Sequence, residues 1–261
     1  MSAPHELVSF AAAFLAGAIN SVAGGGTLVS FPALIWLGLP STIANATSTV
    51  AIWPGSLGGV LGFRQNLRDL EPRMYALIVP SVIGGIAGAV LLRLTPVSVF
   101  DRLVPVLILF ATCLFMAQDA VQRVLGIGQV GRVGQVGRVG RVSVRWLSGA
   151  LAFQLVVALY GGYFGAGLGI MMLAALSIIG LTDIHEMNGL KNLLALCING
   201  VAAMYFVWKG MVYWPDVIVM AVGAIAGGVG GAGLAKRLGR MTVRRVVIAV
   251  GLVMAVKLFL K

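Results

Sequence analysis

The chain has 261 residues, of which 59% are hydrophobic and 10% charged, with a formal net charge of +11 and a mean hydropathy of +1.01. An average soluble domain carries roughly 25% charged residues, so this composition excludes a water-soluble globular protein and a disordered one. A polytopic membrane protein remains, with the lipid bilayer as its first partner. The basic excess then reports loop charge and orientation, not a nucleic-acid surface.

In chain order, Met1 to Glu6 lacks Lys and Arg, so no signal-peptide n-region is visible and the first apolar run is expected to stay in the protein. Apolar runs cover 7–38, 41–63, 72–94 and 98–118, then 146–181, 185–208, 212–235 and 242–260. A spanning helix needs roughly 20 apolar residues. Runs 7–38 and 146–181 exceed that, and glycines break both. The first break is Ala23-Gly24-Gly25-Gly26; the second runs from Gly161-Gly162 to Gly165-Ala166-Gly167-Leu168-Gly169. Between them, residues 126–142 repeat Gly-x-Val with Arg or Gln at x, which reads as a basic linker. The expected organisation is a first transmembrane repeat over 1–118, a cytoplasmic linker over 119–145 and a second repeat over 146–261.

The halves match each other. At an offset of 142, Gly25, Leu34, Gly38 and Leu39 correspond to Gly167, Leu176, Gly180 and Leu181. At an offset of 143, Asn45, Ser48, Thr49 and Ser56 correspond to Asn188, Lys191, Asn192 and Asn199. Spacings of 3, 4 and 11 residues put each set on one helix face. Gly84-Gly85-x-x-Gly88-Ala89 resembles Gly227-Gly228-x-x-Gly231-Ala232. An internal duplication follows. The fold class is therefore all-α, two homologous halves, each with one Gly-broken helix and three spanning helices.

Loop charge bears on orientation. If each broken segment re-enters from one side, the halves are inverted. One side then collects thirteen basic residues: Arg64, Arg68, Arg73, Arg123, Arg132, Arg138, Arg141, Arg145, Lys236, Arg237, Arg240, Arg244 and Arg245. The other collects five: Arg93, Arg102, Lys209, Lys257 and Lys261. Eight simple spans, the alternative, divide the charges more evenly. The positive-inside rule favours inverted repeats, with both termini outside the cytoplasm.

Irregular backbone at membrane depth must be buried in protein or line a watery cavity. Each break precedes a short helix, starting near Thr27 or Gly169, whose N-terminal N–H groups and dipole suit an anion. Candidate contacts are Asn20, Gly24, Gly25, Gly26 and Thr27 in the first half, with Gly165, Gly167 and Gly169 in the second. Asn45, Ser48, Thr49, Asn188 and Asn192 add amide and hydroxyl donors. The alternative is that the glycines and polar groups only pack helices together.

Lys191 carries a charge inside an apolar run, where charge is costly and usually functional. Snorkelling, or pairing with Asp183 or Glu186, is the competing role. His185 and Glu186 form a candidate proton relay, and Asp183 reads as a helix cap. No Gly-x-Ser-x-Gly, Walker or metal-ligand spacing appears, and Cys113 and Cys197 lie in apolar runs. An enzyme, a cofactor and a metal are not expected. A secondary anion transporter, a passive anion channel and a membrane scaffold remain. A coupling ion, proton or sodium, and a homo-oligomer are compatible with the first.

Gly17-Ala18-Ile19-Asn20-Ser21-Val22-Ala23-Gly24-Gly25-Gly26-Thr27, then Pro32-Ala33-Leu34, Gly38-Leu39-Pro40 and Ala44-x-Ala46-Thr47-Ser48, resemble the sulfite exporter TauE/SafE family of membrane transporters. Gly165 to Gly169, Gly180-Leu181 and the Gly-Gly-x-x-Gly-Ala segments repeat the pattern more loosely. The resemblance implies transport of a small sulfur-containing anion, such as sulfite, sulfoacetate or another organosulfonate, across a bacterial inner membrane. The sulfur chemistry rests on this resemblance alone.

Overall fold

The computed structural model describes residues 3–22, 25–68, 70–124, 144–178, 181, 183–238 and 240–259. Gly24, Gly180, Gly239 and most of the linker (125–143) lie outside the described residues. Every regular element described is a helix. In the first half these are α1 (Ala3–Val22), α2 (Thr27–Trp36), α3 (Ser41–Gly62), α4 (Arg64–Arg68), α5 (Ile78–Leu94) and α6 (Val97–Val124). The second half holds α7 (Val144–Tyr163), α8 (Leu168–Ile178), α9 (Ile184–Trp208), α10 (Trp214–Leu238) and α11 (Arg240–Phe259). A 3₁₀ turn over Pro72–Leu77 leads into α5.

Both long apolar runs are broken where the glycines stand. After α1 the chain turns back, so that Gly26 packs against the Ala16 carbonyl. Gly25 adopts φ +141°, and across the second break Gly165 and Gly167 adopt φ +77° and +78°. An L side chain rarely enters that region. Tyr160 braces the second break by donating its hydroxyl to the Ala166 carbonyl at 2.6 Å. Phe164 there packs edge-on against Phe31 of α2, with ring centroids 5.3 Å apart.

The halves pack reciprocally. α1 lies mainly on α10, and its counterpart α7 lies on α5, the counterpart of α10; α3 and α9 cross between them. Glycines make these crossings close. A Cβ on Gly84 would lie 2.7 Å from the Leu155 carbonyl, and one on Gly227 would strike the Phe14 carbonyl. Gly85 faces Ile198 in α9, while Gly228 faces Gly55 in α3, the positions related by the same offset. Trp53 donates to the Leu196 carbonyl at 3.1 Å, a contact between a residue and its own counterpart. Gly84 and Gly85 in one half, and Gly227 and Gly228 in the other, thus each allow close helix crossings.

Among the described residues, three helices are long and apolar enough to cross a membrane: Pro72–Leu94, Val97–Gln118 and His185–Trp208. Shorter apolar helices include Thr27–Trp36 and Leu168–Ser177. Large apolar side chains such as Leu94, Ile218 and Val253 are exposed, which suits a surface wetted by lipid. Inside, Phe31, Phe100, Phe115 and Phe206 are fully buried in one apolar cluster.

At the start of α9, Asp183 caps the helix as the sequence suggests. Its Oδ1 accepts from the backbone N–H of His185 at 2.7 Å and of Glu186 at 3.1 Å. Asp183→Ala is expected to destabilise the protein by about 1 kcal/mol, read as a lower melting temperature in detergent.

Candidate functional site

A cavity of about 350 Å³ opens where the two breaks meet α3, α9 and α10. Asn20, Gly25 and Thr27 of the first break line it, as do Gly165 and Gly169 of the second. Its α3 wall is Pro54-Gly55-Ser56 with Gly58 and Gly59. The proline has no N–H for the Val50 carbonyl, and the glycines leave space where side chains would stand. On the α9 side, Lys191, Asn192, Ala195 and Asn199 line the cavity; Ile225, Gly228 and Val229 of α10 complete it.

Lys191 carries the only formal charge among these lining residues. It is 6% exposed, and its ammonium donates to Asn188 Oδ1 at 3.1 Å. Asp183, one of its two candidate carboxylate partners, is engaged with the α9 N-terminus. Asn188 sits one turn before Lys191 and supports its head group. An ammonium carries three donors, so it can hold Asn188 and meet a ligand oxyanion together.

Gly26, Asn45, Ser48, Thr49, Gly167 and Asn188, also expected as contacts, are not among the lining residues. Gly25 donates its N–H to Asn20 Oδ1 at 3.3 Å, tying that cavity residue to the first break. Gly26 packs on α1. Asn45 reaches across the halves and donates from Nδ2 to the Tyr163 carbonyl at 2.9 Å, at the edge of the second break. Ser48 pairs with Ser30 of α2 at 2.6 Å, and Thr49 donates to the Asn45 carbonyl of its own helix. Gly167 faces Ala111 and Leu114 of α6. The short helices start at Thr27 and Leu168, within a residue of expectation. His185 is exposed and Glu186 half-buried, and neither lines the cavity.

Ser56 and Asn199 were not among the expected contacts, yet both line the cavity. The signal was present: each extends its polar stripe, and they correspond at the 143-residue offset. A polar pair facing the glycine breaks from two crossing helices suits hydrogen bonding to a small polar solute.

The profile of the sulfite exporter TauE/SafE family matches residues 9–258. The chain belongs to this family. It is 26% identical to a protein of Haemophilus influenzae named "Probable membrane transporter protein", covering 96% of this chain and 93% of that one. It is 27% identical to "Probable membrane transporter protein YfcA" of Escherichia coli K12, covering 96% and 88%. It is 25% identical to "Probable membrane transporter protein ORF9" of a Sinorhizobium species, covering 95% and 90%. No solved structure matches. Within the TauE/SafE framework the protein is a helical membrane protein of a transporter family, and the match takes in both breaks and every cavity-lining residue.

Proposed function

We propose that this protein is a secondary transporter that moves a small sulfur-containing anion across the bacterial inner membrane. Sulfite, sulfoacetate or another organosulfonate is the substrate class. The observation that carries this reading is Lys191, the only charged side chain among the described residues of a cavity where the breaks of both halves converge. Its ammonium binds the anion's charge; Asn20, Thr27, Ser56, Asn192 and Asn199 supply neutral donors around the remaining oxygens. Gly25, Gly165 and Gly169 let the backbone approach. The two halves act as inverted repeats, and motion of one against the other exposes the site to each side in turn. Net movement against a gradient requires a coupling ion, a proton or sodium. His185 and Glu186 open the helix that carries Lys191 and are the relay suggested by sequence.

A thermal-shift screen of the purified protein with sulfite, sulfate, sulfoacetate, taurine and thiosulfate tests the substrate class, because a specific ligand stabilises the folded state by mass action. An upward shift with sulfite or a sulfonate, and none with neutral analogues, is expected. Stabilisation by none of the anions would defeat the reading. In liposomes, saturable flux distinguishes a carrier from a passive channel, which would give continuous currents.

Topology has its own test. Single cysteines at Gln65 and Lys209, in a background lacking Cys113 and Cys197, separate inverted repeats from eight simple spans. Inverted repeats place Gln65 inside and Lys209 outside, so an impermeant thiol reagent added outside should label only the second. Eight spans put both on one side, and like labelling of the two would remove the inverted arrangement.

A further inference from the structure

The α1–α10 pair holds a second polar cluster, at its far end from the cavity. Asp216, in the first turn of α10, is fully buried. Its Oδ1 accepts from Ser9 Oγ at 2.8 Å and lies 2.9 Å from His5 Nε2. Its Oδ2 is buried without a hydrogen-bond partner among the described residues. The His5 side chain is 20% exposed, so the imidazole touches both the carboxylate and the surroundings of the helix pair.

A purely structural account explains only half of this. An acidic residue in a helix's first turn favours the dipole, and Ser9 and His5 would pin α1 to α10 through one oxygen. The second oxygen is then a buried acceptor with nothing to accept, which native proteins avoid. A metal cation fits poorly, since hard cations take six or more oxygen ligands. The partners found here are a hydroxyl and an imidazole nitrogen. A proton needs only the carboxylate and a donor that reaches outside.

Among the described residues, the other charges on α1 and on the elements packed against α10 are set apart. On α1, Glu6 is exposed. α3, which also packs on α10, has no ionisable side chain from Ser41 to Gly62. In the turn before α10, Lys209 places its ammonium 3.4 Å over the Trp208 ring, and Tyr213 is exposed. On α11, Arg245 and Lys257 are exposed. His5 is therefore the titratable group seen in contact with the carboxylate.

We propose that His5, Asp216 and Ser9 form a proton-binding site that couples proton movement to transport of the anion, with Asp216 as acceptor and His5 as its link to water. This coupling rests on the transport reading above. In the loading step, imidazolium Nε2–H gives its proton to the carboxylate. A neutral carboxylic acid and a neutral imidazole that keeps its proton on Nδ1 result, the Nδ1 proton having come from water when the imidazolium formed. Neutralising Asp216 weakens the charged hydrogen bonds that hold α1 to α10. The same two helices line the cavity further along, at Gly17 and Asn20 on α1 and at Ile225 and Gly228 on α10. Their packing is therefore the element on which proton and anion both act.

The test uses the full chain in liposomes with labelled sulfite as probe. Wild-type uptake should be stimulated by a pH gradient. Asp216→Asn should lose that stimulation while sulfite–sulfite counterflow persists, because exchange needs no net proton. His5→Gln keeps a donor toward Asp216 but removes the titrating group, and should flatten the pH profile of gradient-driven uptake. Stimulation retained in Asp216→Asn overturns the proposal and returns the relay to Glu186.

A readout independent of any anion accompanies these assays. Infrared difference spectra of the wild type between acid and alkaline buffer should show a carboxylic-acid C=O band. The band should be missing in Asp216→Asn and shifted in His5→Gln. Should sulfite fail to move in the wild type while the band is present, the anion reading fails and the proton site stands. A band unchanged in Asp216→Asn would sink the site itself.

Discussion

Lys191→Met is expected to weaken anion binding by about 10- to 150-fold, the worth of roughly 1.5–3 kcal/mol for a hydrogen bond to a charged group. The side chain is buried in the cavity wall and carries the only formal charge among the described lining residues. The neutral donors around it supply hydrogen bonds without charge, so none of them replaces the ammonium. Methionine preserves length and apolar stem, so loss of binding reports loss of charge. Lys191→Arg keeps the charge but spreads it over a planar fork of different shape, and partial binding is expected. Calorimetric titration with the best ligand of the thermal-shift screen measures both. Affinity of Lys191→Met within about twofold of wild type, well short of a charged hydrogen bond, would remove Lys191 from the site. A drop in melting temperature without loss of affinity would leave it as a structural partner of Asn188.

Gly25→Val should produce the second large effect. Gly25 holds φ +141°, and a Cβ there would lie 2.9 Å from the Phe115 ring. A β-branched residue in such a conformation costs on the order of 1–3 kcal/mol. The backbone relieves this strain by moving, and the segment that moves is cavity wall, tied to Asn20 through the Gly25 N–H. Binding should fall by about 5- to 150-fold, the same energy expressed as affinity. Gly167→Val supplies the contrast. It shares the positive φ, but its Cβ has ordinary 3.6 Å contacts and the residue is outside the cavity lining. It should lower the melting temperature and leave affinity closer to wild type. Equal losses of affinity in both variants would mean that the breaks act as packing elements, not as parts of the site.

These two glycines show how far a linear pattern reaches. They correspond at an offset of 142 residues, and both take positive φ, so their conformational role was legible from recurrence alone. Their surroundings were not. One faces a phenylalanine of α6 at the cavity edge, and the other faces the α6 backbone at Ala111. The polar stripes behave alike. Asn45, Ser48, Thr49 and Ser56 share a helix face, yet Ser56 reaches the cavity while Asn45 grips the Tyr163 carbonyl and Ser48 grips Ser30.

Sequence by itself determined the membrane class, because too few charges exist to clothe a soluble surface. It placed both breaks, since apolar runs of such length cannot continue through glycine clusters as single spans. The matched spacing of the two halves and the Asp183 cap were equally local, the second a matter of one side chain beside the helix it starts. Tertiary structure decided which polar groups meet an open cavity and which meet another helix. Helical periodicity fixes the face a residue occupies but not what stands opposite it; that depends on how α3, α9 and α10 cross, which their glycines set by letting backbones touch. It alone brought His5 to Asp216, 211 positions away in the chain, because α1 closes on α10 across the two halves and no pattern within either half contains both residues.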